Sequence, residues 1–296
     1  MLTKTSASHG PGSPRVTGFY DDASGSAQYL IVDEATGRAA ILDPVLDFDP
    51  AHARTRTDSA AAILDRVRAD GVTVDWVLDT HPHADHMTAS AWLKDRTGAT
   101  TAIGAKVREI ADLWNDIYGK PGALDPAAAY DRLFGAGETF RIGGIDVRVM
   151  LSPGHTLGSI TYVAGDAAFV HDTFMQPDAG TARADFPGGS AGMLWDSLQE
   201  ILALPDDTRL FVGHDYGTKT RDEPAWEATV ALQRASNIHL SGGTTKSAYV
   251  ALREARDATL PLPDRMLYAL QVNLRGGRLP PEEDGRSYFR IPANRF

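Results

Sequence analysis

The sequence predicts an α/β protein. Short apolar runs alternate with stretches of helical spacing along most of the chain, the pattern of strands interleaved with helices. Turns at Thr36-Gly37 and Gly143-Gly144 split neighbouring apolar runs into hairpins. Four apolar runs are followed within four residues by histidine or aspartate, where the termini of neighbouring strands bring side chains together at a sheet edge.

The first fifteen residues are polar and rich in Gly, Pro and Ser, so a disordered leader is expected over 1–15. Gly18 to Tyr20 and Ala27 to Val32 read as strands, and Arg38 to Leu42 returns after the turn. Asp58 is placed to cap a helix whose apolar positions Ala62, Ile63 and Val67 recur at helical spacing and which Gly71 ends. Asp75 to Thr80 is a strand leading into a His-rich segment. A helix over 87–96, a strand over Thr100 to Ile103 and a helix near 105–116 follow. The second half repeats this rhythm, with strands over Glu138 to Ile142, Ile145 to Leu151, Ser159 to Val163 and Ala167 to Val170. A helix over 192–203, a strand over Arg209 to Val212 and helices near 224–235 and 245–257 complete it. Pro261, Pro263, Pro280 and Pro281 mark an irregular C-terminal extension over about 259–296. One domain over 16–296 is expected.

Composition narrows the chemistry. The formal charge is 29 − 39 = −10, which argues against a basic, phosphate-tracking surface and hence against nucleic acid as the partner. There is no cysteine, so any metal is held by His, Asp and Glu, and a cysteine nucleophile is excluded. No run approaches eighteen apolar residues and no signal peptide is recognised, so a cytoplasmic protein without a membrane span is expected.

The strongest motif is His81-Pro82-His83-Ala84-Asp85-His86, which follows an apolar strand. Three imidazoles and a carboxylate on one strand-to-helix turn are natural ligands for Zn, Fe or Mn where sulfur is absent. Gly154-His155 follows the strand ending at Leu151, His171-Asp172 follows Val170, and Gly213-His214 follows Val212. A lone loop histidine is usually just solvated. Four strand-end sites together argue for a metal.

This order of motifs resembles the metallo-β-lactamase superfamily, across nearly the whole chain from about residue 16. The resemblance implies an αββα sandwich with metals at the sheet edges. Within the superfamily the chain is most similar to the persulfide dioxygenases related to the ethylmalonic-encephalopathy protein. The stretches that carry this are 80–90, 98–104, Thr181-Ala-Arg183-Ala-Asp185-Phe186, His214-Asp215-Tyr216-Gly217 and 271–280. The resemblance implies one Fe(II) per chain held by His81, His155 and Asp172, with Arg183 and Tyr216 in a glutathione pocket. It implies glutathione persulfide and O2 as substrates, sulfite and glutathione as products, and a homodimer.

The superfamily's hydrolases use more of the motif: His83 joins the first metal, while Asp85, His86 and His214 hold a second. All of these residues are present, so the inventory leaves open a glyoxalase II-type hydrolase with two Zn per chain. In the one-iron reading His83, Asp85, His86 and His214 surround the site instead. A catalytically idle binding protein is a third reading, against which the intact ligand set speaks. Arg183 and Asp185 also admit a purely structural ion pair. His171 stands where many relatives carry Gly, Pro82 where some carry Cys, and no rhodanese segment is recognised.

Overall fold

In the computed structural model, which describes residues 1–296, the first half runs β1 (Leu2–Ser6), β2 (Arg15–Asp21), β3 (Ser26–Asp33), β4 (Arg38–Leu42), β5 (Val45–Asp49), β6 (Arg54–Arg56), α1 (Asp58–Asp70), β7 (Thr73–Leu78), β8 (Met87–Thr88), α2 (Ser90–Thr97), β9 (Thr100–Gly104), α3 (Val107–Ile117), α4 (Pro126–Ala129) and β10 (Arg132–Phe134). The second half runs β11 (Thr139–Ile142), β12 (Ile145–Leu151), β13 (Ile160–Ala164), β14 (Ala167–His171), α5 (Ala191–Leu202), β15 (Arg209–Val212), β16 (Glu227–Thr229), α6 (Val230–Ser236), α7 (Lys246–Asp257) and α8 (Met266–Asn273).

Two sheets form the interior. The first has the order β1-β2-β3-β4-β7-β9-β10 and the second β11-β12-β13-β14-β15-β16. In β12 the side chains of Ile145, Val147 and Val149 are buried while Asp146 and Arg148 are exposed, the two-residue period of a half-buried strand. β3 is buried along its whole length, as expected of a strand covered on both faces. The inner faces meet in one cluster in which Tyr29, Ile31 and Leu42 pack against Val149, Phe169 and Phe211. Phe169 and Phe211 stack at 5.1 Å, and Tyr29 meets each edge-on at 5.5 Å. Ile63 and Leu64 of α1 and Leu93 of α2 cover Leu30 and Val77 on the outside of the first sheet. Leu194, Leu198 and Ile201 of α5 join the cluster on the second. The arrangement is the expected αββα sandwich.

The sheets touch at the edge where the His-bearing strands end. Ser26, the first residue of β3, bridges to His214; the Ala27 N–H donates to Gly213 O (2.8 Å) and the Asp215 N–H to Gly25 O (3.0 Å). This seam places the end of the second sheet over the start of β3.

The structure departs from the expectation at several places, one of them small: Asp58 is the first residue of α1 rather than its cap, and no side chain caps that helix. The segment 1–15 is not a disordered leader: β1 pairs antiparallel with β2, from Leu2↔Tyr20 to Ser6↔Val16. Its side chains are mostly polar, but the backbone completes a sheet edge. Arg209 pins the turn between β1 and β2, donating to Ser6 Oγ (2.9 Å), Ala7 O (3.1 Å), Ser13 Oγ (3.1 Å) and Pro14 O (2.9 Å). Met87–Thr88 is a strand paired with β5, so the helix expected from 87 begins at Ser90. Glu227–Thr229 is an edge strand, and the helix expected over 224–235 is confined to Val230–Ser236 behind the Thr229 cap. The C-terminal extension contains α8, whose sequence MLYALQVN has no polar stripe. A helix that is apolar all round gives no amphipathic signal and marks burial. No helix is long and apolar enough to cross a membrane.

Arg209 is buried and also forks onto Asp166 (2.8 and 3.2 Å). Arg209→Ala is expected to cost about 2–3 kcal/mol, less than a fully buried pair because Asp166 stays partly solvated. It is also expected to open residues 1–14 to limited proteolysis. An unchanged urea midpoint and an intact N-terminus after protease treatment would contradict this.

Candidate metal centre

The His-rich turn connects β7 to β8 and is held from both sides. Asp43, at the end of β4, accepts from the Thr80 N–H (2.7 Å) and the Thr80 hydroxyl (2.8 Å). With its single proton on Asp43, the Thr80 hydroxyl accepts from His81 Nδ1–H (3.1 Å), which leaves His81 Nε2 as a bare acceptor. From the other side, Asn273 of α8 donates to the carbonyls of His83 (2.8 Å) and His86 (2.9 Å) and accepts from the Thr88 N–H (2.7 Å). The sequence alone does not single out Asn273 as a site residue.

His155 and Asp172 complete the first group. His155 Nδ1–H donates to the carbonyl of Arg183 (2.9 Å), so its Nε2 is also bare. Asp172 Oδ2 lies 3.3 Å from His155 Nε2 and 3.8 Å from His81 Nε2. Ligands about 2.1 Å from a shared ion stand roughly 3.0–3.4 Å apart, so a cation between these three atoms needs only a small contraction. His81 Nε2 is buried without a hydrogen-bond partner, and a metal ion is the natural partner for such an atom.

Two glycines permit this convergence. A Cβ at Gly154 (φ 140°) would stand 2.3 Å from the backbone of Leu194 in α5, and one at Gly213 would stand 2.5 Å from Asp172 Oδ1. Each Gly-His pair is thus one residue that lets the backbone approach and one that brings a ring. His171 takes φ 41° at the irregular end of β14. Its Nε2 lies 3.1 Å from the hydroxyls of Ser152 and Thr173, so it packs beside His81 as a hydrogen-bonded ring.

The second group is His83, Asp85, His86 and His214, whose ligand atoms lie within 4.8 Å of one another. His214 links the two groups, with Nδ1 hydrogen-bonded to Asp172 Oδ1 and Nε2 to Asp85 Oδ2 (2.7 Å). Into this group projects the side chain of Ser26, 1% exposed. Its hydroxyl donates to Asp85 Oδ2 (2.8 Å) and lies 3.0 Å from His214 Nε2 and 3.1 Å from His86 Nδ1. His83 is turned toward Asp43, with Nε2 3.0 Å from Oδ1 but off the hydrogen-bond direction, while its Nδ1 and His86 Nε2 have no partner. A third acidic group, Asp43, Asp79 and His83, has Asp79 already occupied by the hydroxyls of Thr88, Ser90 and Tyr130.

Burial, with the neighbouring His83, depresses the basicity of His81, and burial lowers His155 despite the opposing charge of Asp172. Burial alone would raise Asp172, but His214 and His155 hold its carboxyl well below the usual range. These are the protonation states that metal ligation requires. Burial also works against charge on His214, yet Asp172 and Asp85 raise it well above an ordinary imidazole.

A cavity of about 690 Å3 opens over Asp172, His155 and His214 and runs to α7. Tyr216, 66% exposed, stacks on His214 at 5.7 Å and lines it. Arg183 lines it too, but its guanidinium forks onto Asp185 (2.6 and 2.7 Å) and donates to Pro261 O (2.7 Å). This is the ion pair left open as the alternative from the sequence. The loop carrying Arg183 is anchored by a buried pair on α7. Arg253 binds Asp257 (2.7 and 3.0 Å) and donates to Thr181 O (2.9 Å), and Asp257 accepts from the Ala184 N–H (2.8 Å).

Residues 21–214 match the profile of the metallo-beta-lactamase superfamily. The chain belongs to that superfamily. It is 56% identical over 283 residues to a beta-lactamase hydrolase-like protein of Xylella fastidiosa, covering 95% of this chain but only 65% of the length of that relative. It is 40% identical to a protein of Dictyostelium discoideum named Glyoxylase B2, covering 93% and 96% of the two chains. Among solved structures, ETHE1 from Myxococcus xanthus superposes with a TM-score of 0.71 at 30% identity, covering 89% of this chain and 99% of that one. The fold and the His/Asp groups together support a metal cofactor in a metallo-hydrolase superfamily enzyme.

This geometry has two testable consequences. His81→Ala, His155→Ala and Asp172→Ala are each expected to lose the bound metal, since two remaining ligands hold it too weakly; a full equivalent by elemental analysis in any of them would show that the first group is not the centre. Asp257→Asn, which touches no ligand, is expected to weaken metal binding by about tenfold through the loop that orients His155. A shifted visible spectrum of the Co(II)-substituted variant would separate this from simple loss of stability. An unchanged spectrum and affinity would refute it.

Proposed function

We propose that the protein is a persulfide dioxygenase that converts glutathione persulfide, O2 and water into sulfite and glutathione, with one Fe(II) held by His81, His155 and Asp172. The observation that carries this reading is the Ser26 hydroxyl. It lies among Asp85, His86 and His214, where a hydrolase of this fold needs its second metal, and it engages Asp85 Oδ2 and His214 Nε2, two of the donor atoms of that group. The two-His, one-carboxylate group of His81, His155 and Asp172 has no such hydroxyl among its donor atoms and is the one we assign to a single ion. Such a donor set suits Fe(II), which when bound supplies redox chemistry and open coordination positions. The likeness to ETHE1 from Myxococcus xanthus over nearly its whole length supports the same reading.

The chain's own residues supply orientation and enclosure. Thr80 and the Arg183 carbonyl fix the two rings, and Asp172 brings one oxygen to them while His214 holds the other. Tyr216 shields the outer face of His214, and the cavity gives a peptide-sized thiol a path to the ions' side of the sheet edge. A homodimer, implied by the family resemblance, and a cytoplasmic location, expected from the sequence, are part of this proposal.

The second reading, a dinuclear zinc thioesterase acting on acylglutathione, draws on the Dictyostelium relative's name and on the partnerless His83 Nδ1 and His86 Nε2. Anaerobic metal loading followed by oxygen uptake with glutathione persulfide separates the two. One iron with stoichiometric sulfite is expected; two zincs with rapid S-lactoylglutathione hydrolysis would overturn the dioxygenase proposal. Ser26→Gly, which removes the hydroxyl from the second group, is expected to raise the Co(II) capacity from one equivalent toward two. A wild-type capacity of two would remove Ser26 from the argument.

A further inference from the structure

Three arginines line the cavity: Arg183, Arg253 and Arg256. Arg183 is committed to Asp185 and Pro261 O, and Arg253 to Asp257 and Thr181 O. Arg256, one turn of α7 beyond Arg253, is exposed to the cavity and has no carboxylate or carbonyl partner for its guanidinium. Beside it on the wall stands His239.

The tautomer of His239 is set by its contacts. The Thr181 N–H donates to His239 Nδ1 (3.0 Å), so that nitrogen carries no proton. Burial, then the charges of Arg253 and Arg256, push the ring down to about 4, so at neutral pH its one proton sits on Nε2. No protein acceptor takes that N–H. The ring is locked in place: Gly180 (φ 91°) lies so close that a Cβ there would stand 2.3 Å from Nδ1. A fixed N–H donor and a free guanidinium therefore share one wall of a cavity that begins at the metal ligands.

We propose that Arg256 and the Nε2–H of His239 form an anion subsite that takes a carboxylate of a small thiol peptide, glutathione under the proposed function, while its sulfur lies toward the metal centre. The proposal rests on that function for the identity of the ligand. A guanidinium with unoccupied donors can grip a carboxylate bidentately, whereas Arg183 would first have to give up Asp185. Asp264 also lines the cavity without a cationic partner, so the wall offers both signs, as the zwitterionic glutamyl end of glutathione requires.

The test is calorimetric titration of the metal-loaded protein with glutathione and with two blocked analogues, the glycyl ethyl ester and the glutamyl α-amide. Arg256→Gln is expected to weaken glutathione binding by about 10- to 100-fold, and His239→Phe by about 3- to 10-fold, with metal content unchanged in both. One blocked analogue should bind wild type as weakly as Arg256→Gln binds glutathione, and the variant should not distinguish that analogue from glutathione. Equal affinity of wild type and Arg256→Gln for glutathione would overturn the subsite and leave the glutathione reading standing. So would losses from Arg256→Gln that add fully to those of both analogues. No glutathione binding by the wild-type protein would overturn both.

Discussion

The site depends on how one carboxylate divides its two oxygens. Asp172 Oδ1 is hydrogen-bonded to His214, and Oδ2 faces the bare Nε2 atoms of His155 and His81. A buried carboxylate is tolerable only when opposite charge or several donors compensate it. Here His214 does so on one side, which leaves the other oxygen directed at a cation position. The backbone is shaped around this demand: His171 adopts a left-handed φ immediately before Asp172, and Gly213 leaves room where a Cβ would strike Oδ1.

Orientation of the rings is delegated outward. His81 is set by Thr80 and, through it, by Asp43; His155 is set by a carbonyl in a loop that the Arg253–Asp257 pair anchors. The backbone of the His-rich turn hangs on Asn273. Two of these supports come from α7 and α8, late in the chain. The C-terminal helices therefore support the candidate metal centre, although none of its candidate donor atoms lies on them. Such outer contacts set tautomer and ring angle, which a strand terminus alone leaves free.

The fold class was legible because strand and helix periods are strong where one face is buried, as in β12, and because glycine turns mark hairpins. The candidate ligand residues stand out in the sequence because imidazoles and carboxylates crowd at strand ends in a short motif, and the structure brings them into groups that could hold an ion. The features that the sequence hid have a common character. β1 is an edge strand held by backbone pairing and by Arg209, 203 residues away from Ser6, so neither local composition nor period announces it. α8 lacks a polar face, so no amphipathic signal exists. Ser26 is an ordinary serine in a strand, 188 residues from His214; only the seam between the sheets makes it a neighbour of the second group. Arg183 illustrates the opposite error. Its motif is conspicuous in the sequence, yet the acid two residues on occupies its fork.

The acidity of the chain and the chemistry of the cavity are separate matters. A net charge of −10 bears on long-range encounter with polyanions, where the field of the whole surface is felt. A small anion entering a partly enclosed cavity responds instead to the nearest unpaired groups, because exposed charges beyond about 8–10 Å are screened. On this wall most acids already have partners: Asp178 and Asp215 share Arg221. The carboxylates of Asp85 and Asp172 are compensated by His214. Pairing removes these acids from the electrostatic contest and leaves Arg256 and Asp264 as the open charges of the cavity. An acidic protein can in this way offer a local anion subsite, its place set by which ion pairs are closed and which guanidinium is left open.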